Sequence, residues 1–254
     1  MELFLFLVLI PYTSLASTGH KFIIWDKKEI KVCWHGNFPT PNQSFTESQL
    51  KEIEVLGKFI PLDEQTKTLI AQTIQNEYTE KKTGIHFNGW GNCERNDSSD
   101  VFILIGSNDF SESTSQGSAS LGLADSDDIQ KLRTPDKKAF VFIDVSMWDP
   151  DAKWSREDYI KSTSLHEFGH IAGLRHEHIR SMGGEKWDEA LFFSVYDSLS
   201  IMNYLFFSEL EENGTEKIGG EVKLSPLDIH GLRCLYIYSE ETFKSICHSD
   251  YKLE

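Results

Sequence analysis

The chain has 254 residues, of which 39% are hydrophobic and 12% aromatic, enough for one sizeable core or two small ones. Lys and Arg number 25 against 40 Asp and Glu, which gives a formal net charge of -15. A surface this acidic repels phosphate backbones and anionic lipids, so we expect neither nucleic acid nor a membrane as a partner.

The N-terminus predicts export. Residues 3–10 form an apolar run that is shorter than the roughly 20 residues needed to cross a bilayer. Ser14, Leu15 and Ala16 follow it in the small-x-small pattern that signal peptidase cleaves. We therefore expect a secretory signal peptide over residues 1–16 and a secreted mature chain over residues 17–254. The alternative is that the apolar run is the first hydrophobic element of the fold.

Four cysteines remain in the mature chain, and an oxidising compartment favours their pairing. They are Cys33, Cys93, Cys234 and Cys247. Three connectivities are possible. We favour Cys33 with Cys93, both in the N-terminal half, and Cys234 with Cys247, which lie close in sequence. Unpaired buried thiols are the alternative.

Short β-branched or aromatic runs between Gly, Asn, Asp and Ser clusters predict the strands of one sheet. They are Ile30 to Trp34, Ile85 to Trp90, Val101 to Ile105 and Ala139 to Val145. The stretch from Ser111 to Ser120 is rich in Ser and Gly and is predicted to be a loop. Leu121 to Ala124 after it is a candidate edge strand.

Apolar spacing and cap signals predict three helices. The first covers residues 63–82, before a stop at Gly84. The second begins at Ser155 with a Ser-x-x-Asp start signature and ends near residue 172. The chain is then mostly irregular until a closing helix over residues 226–238. A sheet and long helices early, with an irregular part late, predict a single α+β domain.

The second helix carries a pattern of metal-binding residues. His166 and His170 are four residues apart, so both imidazoles lie on one helical face and can bind one Zn²⁺. Gly173 can end the helix and turn the chain so that His176 supplies a third nitrogen. Three protein ligands leave the fourth position open, as in catalytic zinc sites. Glu167 lies beside the metal, where it can deprotonate a water.

A second motif follows the histidines. Residues 200–204 read Ser-Ile-Met-Asn-Tyr, and a tight turn containing Met202 would pass beneath the three histidines. The alternative for this segment alone is an ordinary buried Met in an apolar run.

The two motifs together resemble the metzincin zinc endopeptidases, and within them the astacin family. Glu177 directly follows the third histidine, as in astacins, and Tyr204 stands two residues after the turn Met, as in their Ser-x-Met-x-Tyr turn. Residues 25–32 are similar to the first metzincin strand, and residues 224–236 to the C-terminal helix. A matrixin-like or divergent bacterial-type enzyme remains open.

The resemblance implies a fold and an activity. The implied fold is a twisted, mostly parallel sheet with two long helices above an irregular lower half that a C-terminal helix closes. The implied activity is that of a monomeric endopeptidase with one Zn²⁺, acting on a protein or peptide. Glu167 would be the general base and Tyr204 would stabilise the oxyanion, while substrate would pair with residues 120–124. The alternative is a catalytically silent binding or adhesion protein on the same scaffold.

The resemblance also bears on maturation. Astacins carry a propeptide, whereas residues 17–24 alone separate the expected cleavage site from the first strand. In the family, the residue at the position of Glu177 can receive the mature α-amino group. We therefore expect signal cleavage alone to yield the mature enzyme, with an arm from Ser17 reaching Glu177.

Overall fold

The computed structural model describes residues 16–20, 25, 27–34, 58–59, 63–93, 99–107, 117–119, 139–145, 155–177, 190–194, 196–203, 222–239 and 242–247. Its strands are β1 (Ala16–His20), β2 (Glu29–Trp34), β3 (Lys58–Phe59), β4 (His86–Asn92), β5 (Val101–Ser107), β6 (Gly117–Ala119), β7 (Ala139–Asp144) and β8 (Ala190–Ser194). Its helices are α1 (Glu64–Glu77), α2 (Glu80–Thr83), α3 (Arg156–Ile171) and α4 (Pro226–Tyr236), followed by a π-helical turn, Phe243–Cys247.

The central sheet has the strand order β4-β2-β5-β7-β6, and β3 pairs with the end of β5. Strands β4, β2, β5 and β7 run parallel to their neighbours, whereas β6 is antiparallel to β7 and β3 is antiparallel to β5. Strands β1 and β8 form a separate antiparallel pair. The mostly parallel sheet with packed helices confirms the expected α+β class.

All four predicted strands lie in this one sheet, and four strands were not expected: β1, β3, β6 and β8. Strand β6 falls inside the segment that was predicted to be a loop, and β8 falls in the part predicted to be irregular. The loop prediction was wrong at residues 117–119 because backbone pairing with Val141, Phe142 and Ile143 of β7 needs no apolar pattern. The candidate edge strand at residues 121–124 lies outside the described residues.

The first predicted helix is two helices. Asp63 caps α1 through a bond from Thr66 N to its carboxylate at 2.7 Å, and α1 ends at Glu77. Thr79 begins α2 because its Oγ1 accepts from Lys82 N at 3.1 Å. The prediction of a single helix over residues 63–82 was therefore wrong, because Thr79 caps the first turn of a new helix within that range. Gly84 ends α2 with φ of 90°.

The core lies between the sheet and helices α1 and α3. Phe168 of α3 is fully buried and meets Phe87 of β4 edge to face, with ring centroids 4.9 Å apart. Trp90 stacks on the Phe168 ring, with ring centroids 5.7 Å apart. Burying a side chain of this size contributes about 1.5–3 kcal/mol, so this aromatic cluster fixes α3 on the sheet.

Both expected disulfides are present, which confirms the favoured connectivity. Cys33–Cys93 links β2 to the residue after β4, and Cys234–Cys247 links α4 to the π-helical turn. No helix in the described ranges is both long enough and apolar enough to cross a membrane.

Candidate metal centre

Helix α3 carries the first two histidines, and its start is fixed by a cap. Ser155 Oγ accepts from Asp158 N at 3.1 Å and satisfies one of the first-turn donors, as the Ser-x-x-Asp signature predicts. The helix then runs from Arg156 to Ile171, which agrees with the predicted bounds. His166 and His170 are one turn apart on it, so both rings project from the same face.

The end of α3 reverses the chain through a glycine. Gly173 has φ of 92°, a conformation that residues with a Cβ rarely adopt. Its N–H donates to His170 O at 2.9 Å, and Leu174 N donates to Gly169 O at 2.8 Å. These two bonds form a Schellman motif, which stops the helix and redirects the chain towards His176.

The reversal brings the three histidine rings together. His176 Nε2 lies 2.9 Å from His170 Nε2 and 3.2 Å from His166 Nε2. A tetrahedral zinc ion with Zn–N bonds of about 2.0–2.1 Å would hold its nitrogen ligands about 3.3 Å apart. The three nitrogens therefore have the spacing of ligands to one metal ion, and these residues are a group that could hold it.

Backbone carbonyls set the tautomers of two of these rings. His166 Nδ1 lies 2.8 Å from Ile201 O, and His170 Nδ1 lies 2.8 Å from Leu174 O. Because a carbonyl can only accept, each Nδ1 carries the hydrogen and each neutral ring keeps its lone pair on Nε2. Histidines that ligate metals have this second hydrogen bond almost always. Both rings are thus oriented as ligands.

The predicted methionine turn lies directly beneath α3. Met202 is buried, and its N–H donates to Ser200 Oγ at 3.0 Å. A methyl group added at Gly169 would overlap Met202 Sδ and lie 3.3 Å from its Cε. The absence of a side chain at Gly169 is therefore what lets the methionine turn pack closely against α3.

A buried carboxylate from α4 holds this turn. Asp228 accepts from Ser200 Oγ at 2.6 Å, from Ile201 N at 3.0 Å and from Ser225 N at 3.0 Å. Burial raises the pKa of Asp228 to about 6, against the lowering effect of these three donors. Ile201 O is also the acceptor for His166 Nδ1. Asp228 of α4 therefore supports the histidines indirectly, by holding the residue to which His166 bonds.

Sequence reasoning missed Asp228. Its only sequence signal was Ser225-Pro-Leu-Asp228, a capping box that marks the start of α4, and the structure contains both of its reciprocal bonds. The same carboxylate serves the cap and the turn, and a capping pattern alone does not predict the second contact.

Side chains from distant parts of the chain complete the C-terminal end of α3. Trp25 Nε1 donates to Ile171 O at 2.7 Å, and Tyr236 Oη donates to Ala172 O at 2.9 Å. These carbonyls are among the last of the helix, which have no partner within it. The two donors therefore hold the end of α3 and the start of the turn that leads to His176.

Glu167, the predicted general base, lies next to His166 on α3. It is 5% exposed, and burial raises its pKa to about 8. A cation held by the histidines would act on this pKa in the opposite direction, because it favours the charged carboxylate. Tyr204, the predicted oxyanion donor, lies outside the described residues.

Glu177 follows the third histidine and is fully buried. Its Oε1 accepts from Asp197 N at 2.8 Å, and its N–H donates to Met202 O at 2.9 Å. Asp197 accepts from Ser225 Oγ at 2.5 Å. Glu177 thereby joins the segment of His176 to the methionine turn and to the start of α4.

Comparison with known proteins gives a likeness of fold. No protein-family model matches the sequence, and no curated protein matches it either. A structure of myroilysin superposes with a TM-score of 0.50 at 15% identity, covering 87% of this chain and 99% of that chain. Also similar are a crystal structure of myroilysin, with a TM-score of 0.45, 17% identity and coverage of 85% and 86%, and the GM1-bound form of the ECX AB5 holotoxin, with 0.46, 16%, 89% and 86%. The first of these shows that the chain shares the myroilysin fold.

Proposed function

We propose that this chain is a secreted zinc endopeptidase of the metzincin type, similar to astacins. The observation that carries the proposal is the convergence of the Nε2 atoms of His166, His170 and His176 at 2.9 and 3.2 Å. Three protein ligands leave one position of a tetrahedral zinc for water or substrate, which is typical of catalytic rather than structural zinc.

Zinc in such a site acidifies water and polarises a carbonyl group. The residues of the chain supply the proton transfers. Glu167, buried beside His166, takes a proton from the attacking water and returns it to the leaving amine. Tyr204 donates a hydrogen bond to the developing oxyanion, where the loss of one donor typically costs about a hundredfold or more in rate.

A protein or peptide substrate binds as an added strand, and the chain acts as a monomer. Strand β6 stands at the end of the sheet order and lies against α3, the helix that carries the metal group. An extended peptide that pairs with this edge would run along the α3 side of the sheet. The segment from Ser120 to Ala124, for which we expected this role, continues the chain directly from β6.

Maturation follows from removal of the signal peptide over residues 1–16, leaving residues 17–254 as the catalytic domain. Ala16 of β1 pairs with Ser194 of β8, three residues before Asp197, whose N–H donates to Glu177. Cleavage after Ala16 would therefore place the new N-terminus at one end of the β1–β8 pair. This is the end at which β8 leads on to Asp197. N-terminal sequencing of the secreted protein should find Ser17, and a start far downstream would contradict this step.

Cleavage of casein by the purified mature chain tests the activity. We expect hydrolysis that stops on zinc chelation and returns when zinc is added back. His176→Ala should abolish both zinc retention and cleavage, whereas His86→Ala, which removes a histidine of β4 outside the site, should preserve them. A wild-type chain that binds one zinc and cleaves neither casein nor a peptide library would favour the binding-protein alternative.

A further inference from the structure

We propose that His230, Cys234 and Cys247 form a second metal site, specific to the reduced chain, in which a zinc ion replaces the disulfide between α4 and the π-helical turn. This inference is independent of the proposed peptidase activity. The three residues bring their ligand atoms within 4.8 Å of one another.

The spacing of the ligand atoms fits zinc. His230 and Cys234 are four residues apart on α4 and so share a helical face. Cys234 Sγ lies 3.6 Å from His230 Nε2. Zn–S and Zn–N bonds of about 2.3 and 2.0–2.1 Å place a sulfur and a nitrogen about 3.6 Å apart in a tetrahedron. The histidine therefore already stands at ligand distance from one sulfur of the disulfide.

The ring of His230 is prepared as a neutral ligand. It makes a hydrogen bond with the Phe193 backbone, the kind of outer contact that orients metal-binding histidines. Burial and the charge of nearby Arg233 lower the pKa of His230, whereas the hydrogen bond with Phe193 raises it. The net lowering favours the neutral imidazole, which is the form that binds a metal ion.

The surroundings favour an uncharged complex. Cys234 and Cys247 are buried in a small cluster with Phe193, against which Leu235, Tyr238 and Phe243 pack. Two thiolates and Zn²⁺ together carry no net charge, whereas two unpaired thiolates in this apolar cluster would carry two negative charges.

Replacement of the Cys234–Cys247 disulfide by zinc is a two-electron reduction followed by metal binding. Two molecules of a thiol reductant give two electrons to the Cys234–Cys247 bond, become one disulfide and leave two cysteine thiols. Zn²⁺ then displaces the two thiol protons and binds both sulfurs and His230. The sulfurs separate to about 3.8 Å around the ion, so the same two elements stay linked.

Cobalt titration of the reduced protein tests this site. The chain is treated with a water-soluble phosphine, which becomes its oxide with oxygen from water, until all four cysteines titrate as thiols. The metal-free protein is then titrated with Co²⁺. A sulfur-to-cobalt charge-transfer band in the near ultraviolet reports cobalt bound to cysteine, because the group of three histidines on and after α3 contains no sulfur. Cysteine variants separate Cys234 and Cys247 from the other reduced pair, Cys33 and Cys93.

We expect the band in reduced wild type and not in the oxidised protein, and the reduced chain should bind one cobalt more than the oxidised chain, in which the three histidines remain available. Cys234→Ser should abolish it, and a chain carrying both Cys33→Ser and Cys93→Ser should keep it. His230→Ala should weaken the affinity of the site at least about 100-fold, since loss of an outer hydrogen-bond partner alone costs about 10- to 100-fold.

Thermal unfolding gives a second measurement that does not depend on colour. Zinc should raise the Tm of the reduced wild type by more than it raises that of reduced Cys234→Ser, even if reduction loosens the chain. The proposal is overturned if the two chains respond equally to zinc and no charge-transfer band forms. It is also overturned if the band survives Cys234→Ser and disappears with the loss of Cys33 and Cys93.

Discussion

Contact between α3 and the methionine turn can be tested by a single added methyl group. Gly169→Ala would normally stabilise a helix interior by about 1 kcal/mol. Here the new Cβ overlaps Met202 Sδ and lies 3.6 Å from Tyr78 Oη. Met202 is 1% exposed, so its side chain has no solvent to swing into. Overpacking of this kind costs about 1–3 kcal/mol, and we expect a net loss of about 1 kcal/mol.

A double-mutant cycle with Met202→Ala tests whether the effect of Gly169→Ala on stability changes sign when the contact is removed. Met202→Ala leaves a cavity and should cost about 2–5 kcal/mol. In that background the methyl at position 169 keeps only the ordinary contact with Tyr78 Oη, so Gly169→Ala should stabilise by up to about 1 kcal/mol. Urea unfolding of the four metal-free proteins measures the coupling, expected at about 2 kcal/mol. Equal effects of Gly169→Ala in both backgrounds would refute the contact.

Two further variants test the supports of the metal group. Tyr236→Phe removes the donor to Ala172 O and should lower the free energy of unfolding by about 1–3 kcal/mol, measured in urea. It should also weaken zinc affinity, because the turn to His176 begins at Ala172. Tyr159→Phe removes a buried donor to the Asp144 carbonyl of β7 and should leave zinc affinity unchanged. Equal zinc affinities of the two variants would contradict this role of Tyr236. Burial raises the folded pKa of Asp228 to about 6, against an ordinary 3.8, so folding disfavours its ionised form. The contribution of Asp228 to the free energy of unfolding should therefore rise by about 2 kcal/mol as pH falls from 7 to 4. Unfolding of wild type and Asp228→Asn across that range should show this rise in their difference, and a flat difference would be inconsistent with the raised pKa.

The grouping of the three histidines could be predicted because the residues that determine it are close together in sequence. The spacing of His166 and His170 and the glycine at position 173 follow directly from helical geometry and from the freedom of glycine to adopt positive φ. The cap at Ser155 is equally local, since its acceptor and donor are three residues apart. Each of these predictions needed only a few neighbouring residues.

What supports the site could not be predicted in the same way. Trp25 and Ile171 are 146 residues apart, and nothing near either residue specifies the other. The acceptors for His166 and His170 are backbone carbonyls, which every residue has, so side-chain chemistry does not single them out. Strand β6 was missed for a similar reason, because its pairing with β7 uses the backbone of small residues. Such contacts depend on the packing of the whole chain.

The most direct measurement compares the kinetics of wild type and Glu167→Gln on a quenched fluorescent peptide, with zinc content and affinity determined for both. Gln keeps the size of the side chain and cannot act as a base. We expect both proteins to bind one zinc with similar affinity and kcat/KM of the variant to fall by about 10²–10⁴-fold. A variant that binds zinc equally and keeps its rate within tenfold would contradict the assignment of Glu167 as the general base and, with it, the proposed mechanism.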